Sequence, residues 1–360
     1  MTQTNQTQAP QIGAEQIALL ERLTNAVAVS GDEAEVRAIV LESIREVADD
    51  VRVDALGNVL AVRKAKSENP VRVMIAAHMD EVGFMLVDDE DGGLFRFELV
   101  GGIDVRQLPG KPVLVGKDRV PGVIGAPPIH LINRDDLRRS LPLESLRIDL
   151  GPKGEGAANP GDRATFATRF QQVGGSIMAK ALDNRLGVAT LIELVRNAPE
   201  EVELLAAFTV QEEVGLRGAR VAAFAFHPDV AIALDSTPAM DLPMWDESEN
   251  SQYNTRLDAG PALYVADSST LSDPRLIRHF MRTGEELGIP YQIRQPGGGG
   301  TDAGAIHRQL EGIPSLSISV PGRYAHTAVL LARLSDWRNT LALVYEGLRR
   351  MNRDLLQEER

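Results

Sequence analysis

The sequence predicts a three-layer α/β/α domain with a mixed, largely parallel sheet, into which a small, all-β, barrel-like domain is inserted. After Gly174-Gly175, apolar runs of strand length alternate with helical segments, a pattern typical of parallel sheets with crossover helices. The run 72–77 is largely apolar and ends abruptly in polar residues. From about residue 83 to residue 168, helical periodicity fades and short β runs recur between glycines and prolines, which indicates the insertion.

The length of 360 residues also favours two domains over one. Residues 13–82 and 174–360 are predicted to form the α/β domain, and residues 83–173 the inserted β domain. Residues 1–12 begin with a polar stretch that lacks basic groups and an apolar core. They predict a disordered tail and resemble neither a signal peptide nor a transit peptide.

The first half of the chain predicts two helices followed by strands. Ile17, Leu20 and Leu23 lie at helical spacing, and a second amphipathic segment begins after a Ser-Gly-Asp-Glu cap at 30–33. A hairpin with a turn at 54–58 comes next. The clearest β runs from there to the end of the insertion are 72–77, 83–87, 94–100, 112–115, 120–125 and 146–150.

The second half predicts alternating helices and strands. The predicted helices are centred on 186–195, 218–226 and 276–287, with one after Asp302 and one over 334–351. The predicted strands are 203–210, 230–235, 291–294 and 315–320. Because open α/β sheets build their sites at the carboxyl ends of parallel strands, we look for functional residues where these strands end.

Composition excludes several classes of function. The net charge of −13 disfavours nucleic acids and anionic membranes as partners, because both attract clustered Lys and Arg. No apolar run approaches the length of about 18 residues of a membrane span, so we expect a water-soluble, cytoplasmic protein. With no cysteine, a metal ion would be held by His, Asp and Glu, which suits hydrolytic zinc, cobalt or manganese.

Two adjacent carboxylates, Glu212 and Glu213, follow the apolar run 204–208. An isolated Glu-Glu pair is ordinarily a solvated strand-to-loop pair. Charged side chains at the buried end of a core strand need compensation, however, for which a metal ion or a shared proton is the usual means. On extended backbone the two side chains would point in opposite directions, so that one could bind a metal while the other faces a substrate.

The pair is not isolated, because other polar groups also follow predicted strands. They are His78, Asp80, Asp183, Asp235 and His326. Two imidazoles and three carboxylates match the ligands of a pair of divalent ions, with one Asp bridging both. Such ions would activate a shared water for attack on an amide. Glu212 is placed to act as the general base, and Asp80 to fix the tautomer of His78.

Six motifs make the chain resemble the TET-type (tetrahedral) dinuclear metalloaminopeptidases, which include glutamyl and deblocking aminopeptidases and endoglucanase-labelled relatives. The motifs are Ala-His-Met-Asp-Glu-Val-Gly at 77–83, Ala-Leu-Asp-Asn-Arg at 181–185, Gln-Glu-Glu-Val-Gly at 211–215, Ala-Leu-Asp at 233–235, Gly-Gly-Thr-Asp-Ala at 299–303 and Arg-Tyr-Ala-His-Thr at 323–327. The resemblance runs in order through nearly the whole chain, including 101–104 and 122–131 of the insertion.

The resemblance implies one metal site at His78, Asp183 and Asp235, and a second at Asp183, Glu213 and His326. It implies that the ions are Zn²⁺ or Co²⁺, that a water bridges them and that Glu212 is the general base. It further implies an aminopeptidase that acts on short peptides. Members of this family commonly assemble through the β domain into dimers and then dodecamers, so residues 83–173 are expected to serve in dimerisation or as a lid.

Other hypotheses remain open on the sequence alone. The same chemistry could hydrolyse another amide, such as an acylamino acid or a dipeptide. A non-catalytic assembly protein with this fold would have lost a ligand, and none is missing. A glycosidase would need two carboxylates flanking a sugar, not a set of ligands that includes histidines. The glycine run 297–300 lacks the Gly-Lys-Ser/Thr ending of a phosphate-binding loop. The preferred N-terminal residue, the metal and the oligomer size stay open.

Overall fold

The computed structural model describes residues 7–133, 141–246, 248, 250 and 255–360. Within that part of the chain, two sheets carry the fold, an 11-stranded sheet flanked by helices and a closed barrel of six strands. The predicted combination of an α/β domain with a mixed sheet and a small barrel is confirmed.

Eight helices are assigned in the described residues. They are α1 (Ala14–Asn25), α2 (Ala34–Ile44), α3 (Leu182–Arg196), α4 (Arg217–Phe226), α5 (Pro274–Leu287), α6 (Ala303–Ile306), α7 (Leu334–Arg349) and α8 (Asp354–Gln357). None of the helices in the described residues is long and apolar enough to cross a membrane.

The large sheet contains the strands β1 (Asp50–Val53), β2 (Val59–Arg63), β3 (Arg72–His78), β10 (Gln171–Val173), β11 (Ser176–Ala179), β12 (Glu203–Thr209), β13 (Val230–Pro238), β14 (Ala262–Tyr264), β15 (Gln292–Arg294), β16 (Ser315–Arg323) and β17 (Leu330–Arg333). The barrel contains β4 (Gly83–Asp89), β5 (Leu94–Val100), β6 (Pro112–Val115), β7 (Val120–Gly125), β8 (Arg147–Asp149) and β9 (Arg163–Phe166).

Four parallel strands form the centre of the large sheet, in the order β12-β3-β13-β16. Each is buried along nearly its whole length, which explains the continuous apolar runs in β3, β12 and the first half of β13. The strand β16 is equally buried, but it alternates serines with Leu316, Ile318 and Val320. The strands at both margins pair antiparallel, so the sheet is mixed. Since β3 and β12 pair with His78 opposite Thr209, the residues that follow both strands emerge at one edge.

The barrel closes in the order β4-β5-β8-β7-β6-β9. Its core is largely aliphatic and contains a group of phenylalanines: Phe84 meets Phe97 and Phe166 edge to face, with ring centroids 5.3 and 5.2 Å apart. The barrel strands extend from Gly83 to Phe166, whereas β10 pairs with β11 in the large sheet. The predicted boundary at residue 173 therefore lies beyond the last barrel strand.

A buried group of charges joins the two sheets. Lys180 Nζ lies 2.8 Å from both carboxylate oxygens of Glu81, and Arg185 Nη2 lies 3.2 Å from one of them. Thr165, on β9 of the barrel, donates to Glu81 Oε2 at 2.9 Å. We call Glu81, Lys180 and Arg185 the interdomain charge cluster.

Residues 1–12 were predicted to be a disordered tail. Residues 1–6 lie outside the described residues, but residues 7–12 pack against the α/β domain. Thr7 Oγ1 donates to Glu346 Oε1 at 2.9 Å, and Ile12 is only 4% exposed within the main core. The sequence prediction was wrong for residues 7–12, because a single apolar residue with a distant partner leaves no periodic signal.

Candidate metal centre

The seven predicted site residues come together at the carboxyl edge of the four central strands. His78 is the last residue of β3, Asp235 lies in β13, and Glu212 and Glu213 follow β12. Asp183 lies at the start of α3, where its backbone is not helical and its peptide bond to Asn184 is cis. His326 follows β16 with a left-handed backbone, at φ 56°.

The first group of potential ligands surrounds His78. Its Nε2 lies 3.4 Å from Asp183 Oδ1 and 3.6 Å from Asp235 Oδ1. His78, Asp183 and Asp235 each offer a ligand atom within one small volume. Residues from β3, β13 and α3 thus converge on a single point.

His326 forms the second group. Its Nε2 lies 3.6 Å from Asp183 Oδ2 and 3.6 Å from Glu213 Oε2. Asp183 therefore presents one oxygen to each imidazole. A carboxylate placed in this way can bridge two ions, with one oxygen for each.

The tautomers of both imidazoles suit metal ligation. His78 Nδ1 lies 3.2 Å from the Asp80 carbonyl oxygen, and His326 Nδ1 lies 2.8 Å from the Gly102 carbonyl oxygen. Because a carbonyl oxygen only accepts, we assign the proton to Nδ1 in both rings. The Nε2 lone pairs then point at the carboxylates and are available to a cation.

The carboxylate of Asp80 holds the turn that carries the two glutamates. Its Oδ1 accepts from Glu212 N at 3.0 Å, and its Oδ2 accepts from Glu213 N at 3.2 Å and from Ser30 Oγ at 2.6 Å. The sequence predicted that Asp80 orients His78. The nearest hydrogen-bonding atom to His78 Nδ1 is instead the backbone oxygen of Asp80, with Oδ1 at 3.5 Å.

Glu212 and Glu213 do not lie on extended backbone. The strand β12 ends at Thr209, Gln211 has a left-handed φ of 56°, and Gly215 N donates to Glu212 O at 2.9 Å in a turn. The predicted opposite-facing arrangement is therefore replaced by a turn in which both carboxylates face one cavity. Glu212 Oε2 lies 4.0 Å from His78 Nε2, whereas Glu213 Oε2 lies beside His326.

Burial and crowding shift the pKa values of this cluster. Burial lowers the pKa of His78, but Glu212, Asp183 and Asp235 outweigh it and hold that pKa well above 6.5. Burial by itself would raise the pKa of Asp183, but the two nearby imidazoles outweigh burial and lower this pKa to about 2. Burial raises the pKa of Glu213 to about 8, that of Asp235 to about 6 and that of Glu212 well above 4.5. Added cations would favour the ionised forms of all these carboxylates.

The donor set fits divalent ions. Ligand atoms about 2.1 Å from a tetrahedrally coordinated Zn²⁺ lie about 3.4 Å from one another. The separations of 3.4–3.6 Å around His78 and His326 match that spacing and exceed ordinary hydrogen-bond lengths. Imidazole and carboxylate donors without sulfur suit zinc, cobalt or manganese.

The site opens into a cavity of about 630 Å³. Its wall includes residues that we did not predict: Gly102, Ser236, Tyr264, Ser268, Ser269 and Arg294. Gly102 carries the carbonyl that holds His326, and it comes from the loop after β5 of the barrel. Only the resemblance of the segment 101–104 drew attention to this loop. Neither Tyr264 nor Arg294 lies in a motif, so no local signal identified them.

Comparisons with known proteins agree with this architecture. A sequence model of the M42 glutamyl aminopeptidase family matches residues 57–343. A lysyl aminopeptidase of Pyrococcus furiosus is 32% identical over 337 residues, which are 90% of this chain and 94% of that protein. A glutamyl aminopeptidase of Lactococcus lactis is 32% identical over 337 residues, 88% of this chain and 91% of that protein.

Solved structures are similar over almost the full length. An aminopeptidase from the archaeon Desulfurococcus kamchatkensis superposes with a TM-score of 0.89 at 34% identity, covering 95% of this chain and 97% of that one. The TET1 peptidase of Pyrococcus horikoshii, described as assembling into a tetrahedron or a large octahedral shell, superposes with a TM-score of 0.81 at 33% identity, covering 93% and 100%.

Proposed function

The chain belongs to the M42 glutamyl aminopeptidase family, and we propose that this aminopeptidase removes N-terminal residues from short peptides with two divalent metal ions. The observation that carries the proposal is the position of Asp183 between His78 and His326, with one carboxylate oxygen directed to each imidazole. A single-ion site would leave one of these two groups without a function.

We assign one ion to His78, Asp183 and Asp235, and the other to Asp183, Glu213 and His326. Zn²⁺ and Co²⁺ are the ions we expect, with identity set by availability. Divalent cations in such a site supply Lewis acidity, which lowers the pKa of water and polarises a carbonyl oxygen. Asp80 supports both groups by holding the backbone of Glu212 and Glu213.

Glu212 is the general base in this proposal. Its carboxylate faces the cavity 4.0 Å from His78 Nε2 and is not needed to complete either ligand group. Glu212 takes the proton from the attacking water at a carboxylate oxygen. It then passes that proton to the nitrogen of the leaving amine. Burial, together with the charges of Asp235 and Asp302, raises the pKa of Glu212 in the absence of metal ions. Bound cations would favour its ionised form, which can accept the proton.

The test is to measure amino acid release from peptides with free and with acetylated N-termini, with and without a chelator. We expect release only from the free peptides and loss of release on chelation, with recovery when Zn²⁺ or Co²⁺ is restored. N-acyl amino acids serve as the matched substrates for hydrolysis of another amide. A metal-loaded protein that cleaves none of the peptides, or that ignores the chelator, would disprove the proposal.

We also propose that this protein forms a large closed homo-oligomer through the barrel domain, in line with the predicted dimers and dodecamer. The assembly described for the P. horikoshii relative supports this proposal. Light scattering coupled to size exclusion tests it, since a monomeric mass at micromolar concentration would contradict it. The cytoplasmic location remains a prediction.

A further inference from the structure

A second cavity adjoins the cavity at the candidate metal centre, which we call the main cavity. The second cavity has a volume of about 560 Å³, and Pro238 and Ala325 line both cavities. Ala325 directly precedes His326, and Pro238 follows Asp235 by three residues on β13. Because each strand residue advances about 3.3 Å, Pro238 lies about 10 Å along β13 from Asp235. The second cavity therefore begins close to the two groups of potential ligands.

The lining of the second cavity is mostly apolar, and we call this cavity the apolar groove. Its large apolar side chains include Met240, Leu242, Met244, Tyr324 and Val329. Among the described residues that line it, Arg323 is the only charged one, and its Nε donates to Asp241 Oδ1 at 2.7 Å. The main cavity, by contrast, is lined by the carboxylates and imidazoles of the metal centre and by Arg294. The apolar groove therefore suits uncharged, apolar groups as ligands.

Hydrogen bonds hold both chain segments that form the apolar groove. On one side, Asn250 Nδ2 donates to the carbonyl oxygens of Met240 and Leu242 at 2.7 and 2.8 Å. On the other side, Thr327 Oγ1 donates to the Tyr324 carbonyl oxygen at 2.9 Å. The groove is thus formed before a ligand binds, and binding does not have to be offset by the cost of ordering these segments.

Several apolar side chains of the groove are exposed to water in this chain. Met240 is 55% exposed, Leu242 is 41% exposed and Tyr324 is 49% exposed. Apolar side chains that are grouped on a surface in this way mark a place where a ligand binds, because covering them removes apolar area from water. The shared walls at Pro238 and Ala325 identify the ligand as a molecule that already occupies the main cavity.

The peptide substrate of an aminopeptidase is such a molecule. Only its first residue lies on the N-terminal side of the scissile bond, so the rest of the peptide must extend away from the metal centre. An extended peptide advances about 3.3 Å per residue. A peptide whose first carbonyl lies at the metal centre would therefore bring its third and fourth residues to the region of Pro238, about 7 to 10 Å away.

We propose that the apolar groove binds the side chains of the third and fourth residues of the peptide substrate, so that this aminopeptidase prefers peptides that are apolar at these positions. This inference rests on the proposed function and adds a selectivity for residues beyond the scissile bond. The first residue of the peptide stays in the main cavity and takes no part in this selectivity.

The experiment compares kcat/KM for release of the first alanine from Ala-Ala-Leu-Leu amide and from Ala-Ala-Ser-Ser amide, using the full-length, metal-loaded protein. We expect a preference for the leucine peptide of about 10-fold, because two leucine side chains become partly buried in the groove. An alanine reporter amide has no residue that could reach the groove and serves as the reference substrate.

The double substitution Met240→Ser and Leu242→Ser removes two exposed apolar side chains of the groove. It should lower the Leu/Ser ratio to about 2 or less and should lower kcat/KM of the leucine peptide relative to the reporter amide. Leu56→Ser is the matched control, since Leu56 is 40% exposed, lies in the turn between β1 and β2 and lines neither cavity. This control should keep the wild-type Leu/Ser ratio.

Equal kcat/KM for the two tetrapeptides in the wild-type protein would overturn the inference while sparing the proposed function, and this comparison needs no variant. A leucine preference that survives the double substitution would also overturn it, because the preference would then arise elsewhere. If the double substitution changes the mass measured by light scattering but keeps the Leu/Ser ratio, the groove is a contact between copies of this chain and the inference is wrong. Failure of the wild-type protein on all three substrates refutes the proposed function itself.

Discussion

At the scale of single residues, Glu212 and Glu213 are neighbours in the chain with different surroundings. Glu213 lies beside His326 within a ligand group, whereas Glu212 faces the cavity near His78. The turn after Thr209 and the two backbone hydrogen bonds to Asp80 produce this difference. The proposed division between a ligand and a base therefore depends on a turn, not on the alternation of a strand.

Glu212→Gln is expected to keep both metal ions and to lower kcat by about 10²- to 10⁴-fold, because the amide cannot accept the proton of the attacking water. Metal content by atomic absorption and steady-state kinetics on one peptide check this. The matched variant Glu213→Gln should lose metal along with activity, since it removes a charged ligand. If Glu212→Gln instead lost an ion, Glu212 would be a ligand.

At the scale of elements, the loop between β5 and β6 connects the barrel to the metal centre. The Gly102 carbonyl accepts from His326 Nδ1, and Gly101 has a φ of 88°. A Cβ at Gly101 would lie 2.8 Å from Val82 Cγ1 and 3.3 Å from Glu213 Cβ. A glycine is required there by the backbone conformation as well as by the close approach of Glu213, the proposed ligand.

Gly101→Ala is expected to weaken metal binding as well as stability, because the new methyl group displaces Val82 or Glu213. Gly110→Ala is the matched control: Gly110 has a φ of 79°, and no atom lies within 4 Å of its added Cβ. It should cost only the left-handed backbone penalty of about 1–2 kcal/mol in the free energy of unfolding. Urea denaturation and metal titration measure both quantities. Equal metal affinity in the two variants would show that the approach to Glu213 has no effect.

Lys180→Met tests the interdomain charge cluster. Removing the ammonium group leaves Glu81 buried with Arg185 as its remaining cationic partner. We expect a loss of about 3 kcal/mol in the free energy of unfolding, as for other broken buried pairs. Lys66→Met is the control, because the Lys66–Glu200 pair is 74% and 63% exposed and should contribute at most about 1 kcal/mol. Similar losses in both variants would contradict this expectation.

At the scale of the whole molecule, the candidate metal centre is a concentration of negative charge enclosed by two domains. The folded pKa values of about 6 for Asp235 and about 8 for Glu213 lie above the ordinary carboxyl values of 3.8 and 4.5. Above those ordinary values, the metal-free folded protein holds more protons than the unfolded chain. Its free energy of unfolding therefore falls as pH rises towards about 8, and the raised pKa of His78 acts in the same direction.

Bound cations would offset the repulsion between the ionised carboxylates of this cluster. They also compete with protons for the carboxylates and imidazoles. We therefore expect the gain in Tm on adding Zn²⁺ to chelator-treated protein to be larger at about pH 8 than at about pH 5.5. Calorimetry at the two pH values, with Mg²⁺ as the control ion, measures the difference. A gain that is independent of pH would mean that these carboxylates do not hold the ions.

Much of the fold could be predicted from the sequence, and the strands that the sequence analysis missed have features in common. The strands β3, β12 and β13 were predicted because their burial on both faces requires apolar runs, and β16 was predicted from the apolar residues at every second position of 316–320. The strands β9, β10, β11, β14 and β17 were missed. They are short segments of three or four residues. Pairings such as β11 with β17 and β14 with β15 join segments that are distant in the chain, whereas β10 and β11 form a hairpin whose strands are too short to give a clear pattern. Such pairing depends on the whole fold and leaves a weak local pattern.

The sequence by itself determined the fold class, the strand ends that carry the candidate site and the chemical types of the proposed ligands, because periodicity and residue type are local properties. Only the tertiary structure decided that Asp183 lies between the two imidazoles, that a barrel carbonyl orients His326 and that Arg294 lines the cavity. These facts are distances between residues far apart in the chain, and packing of the complete sheet and barrel is what sets such distances.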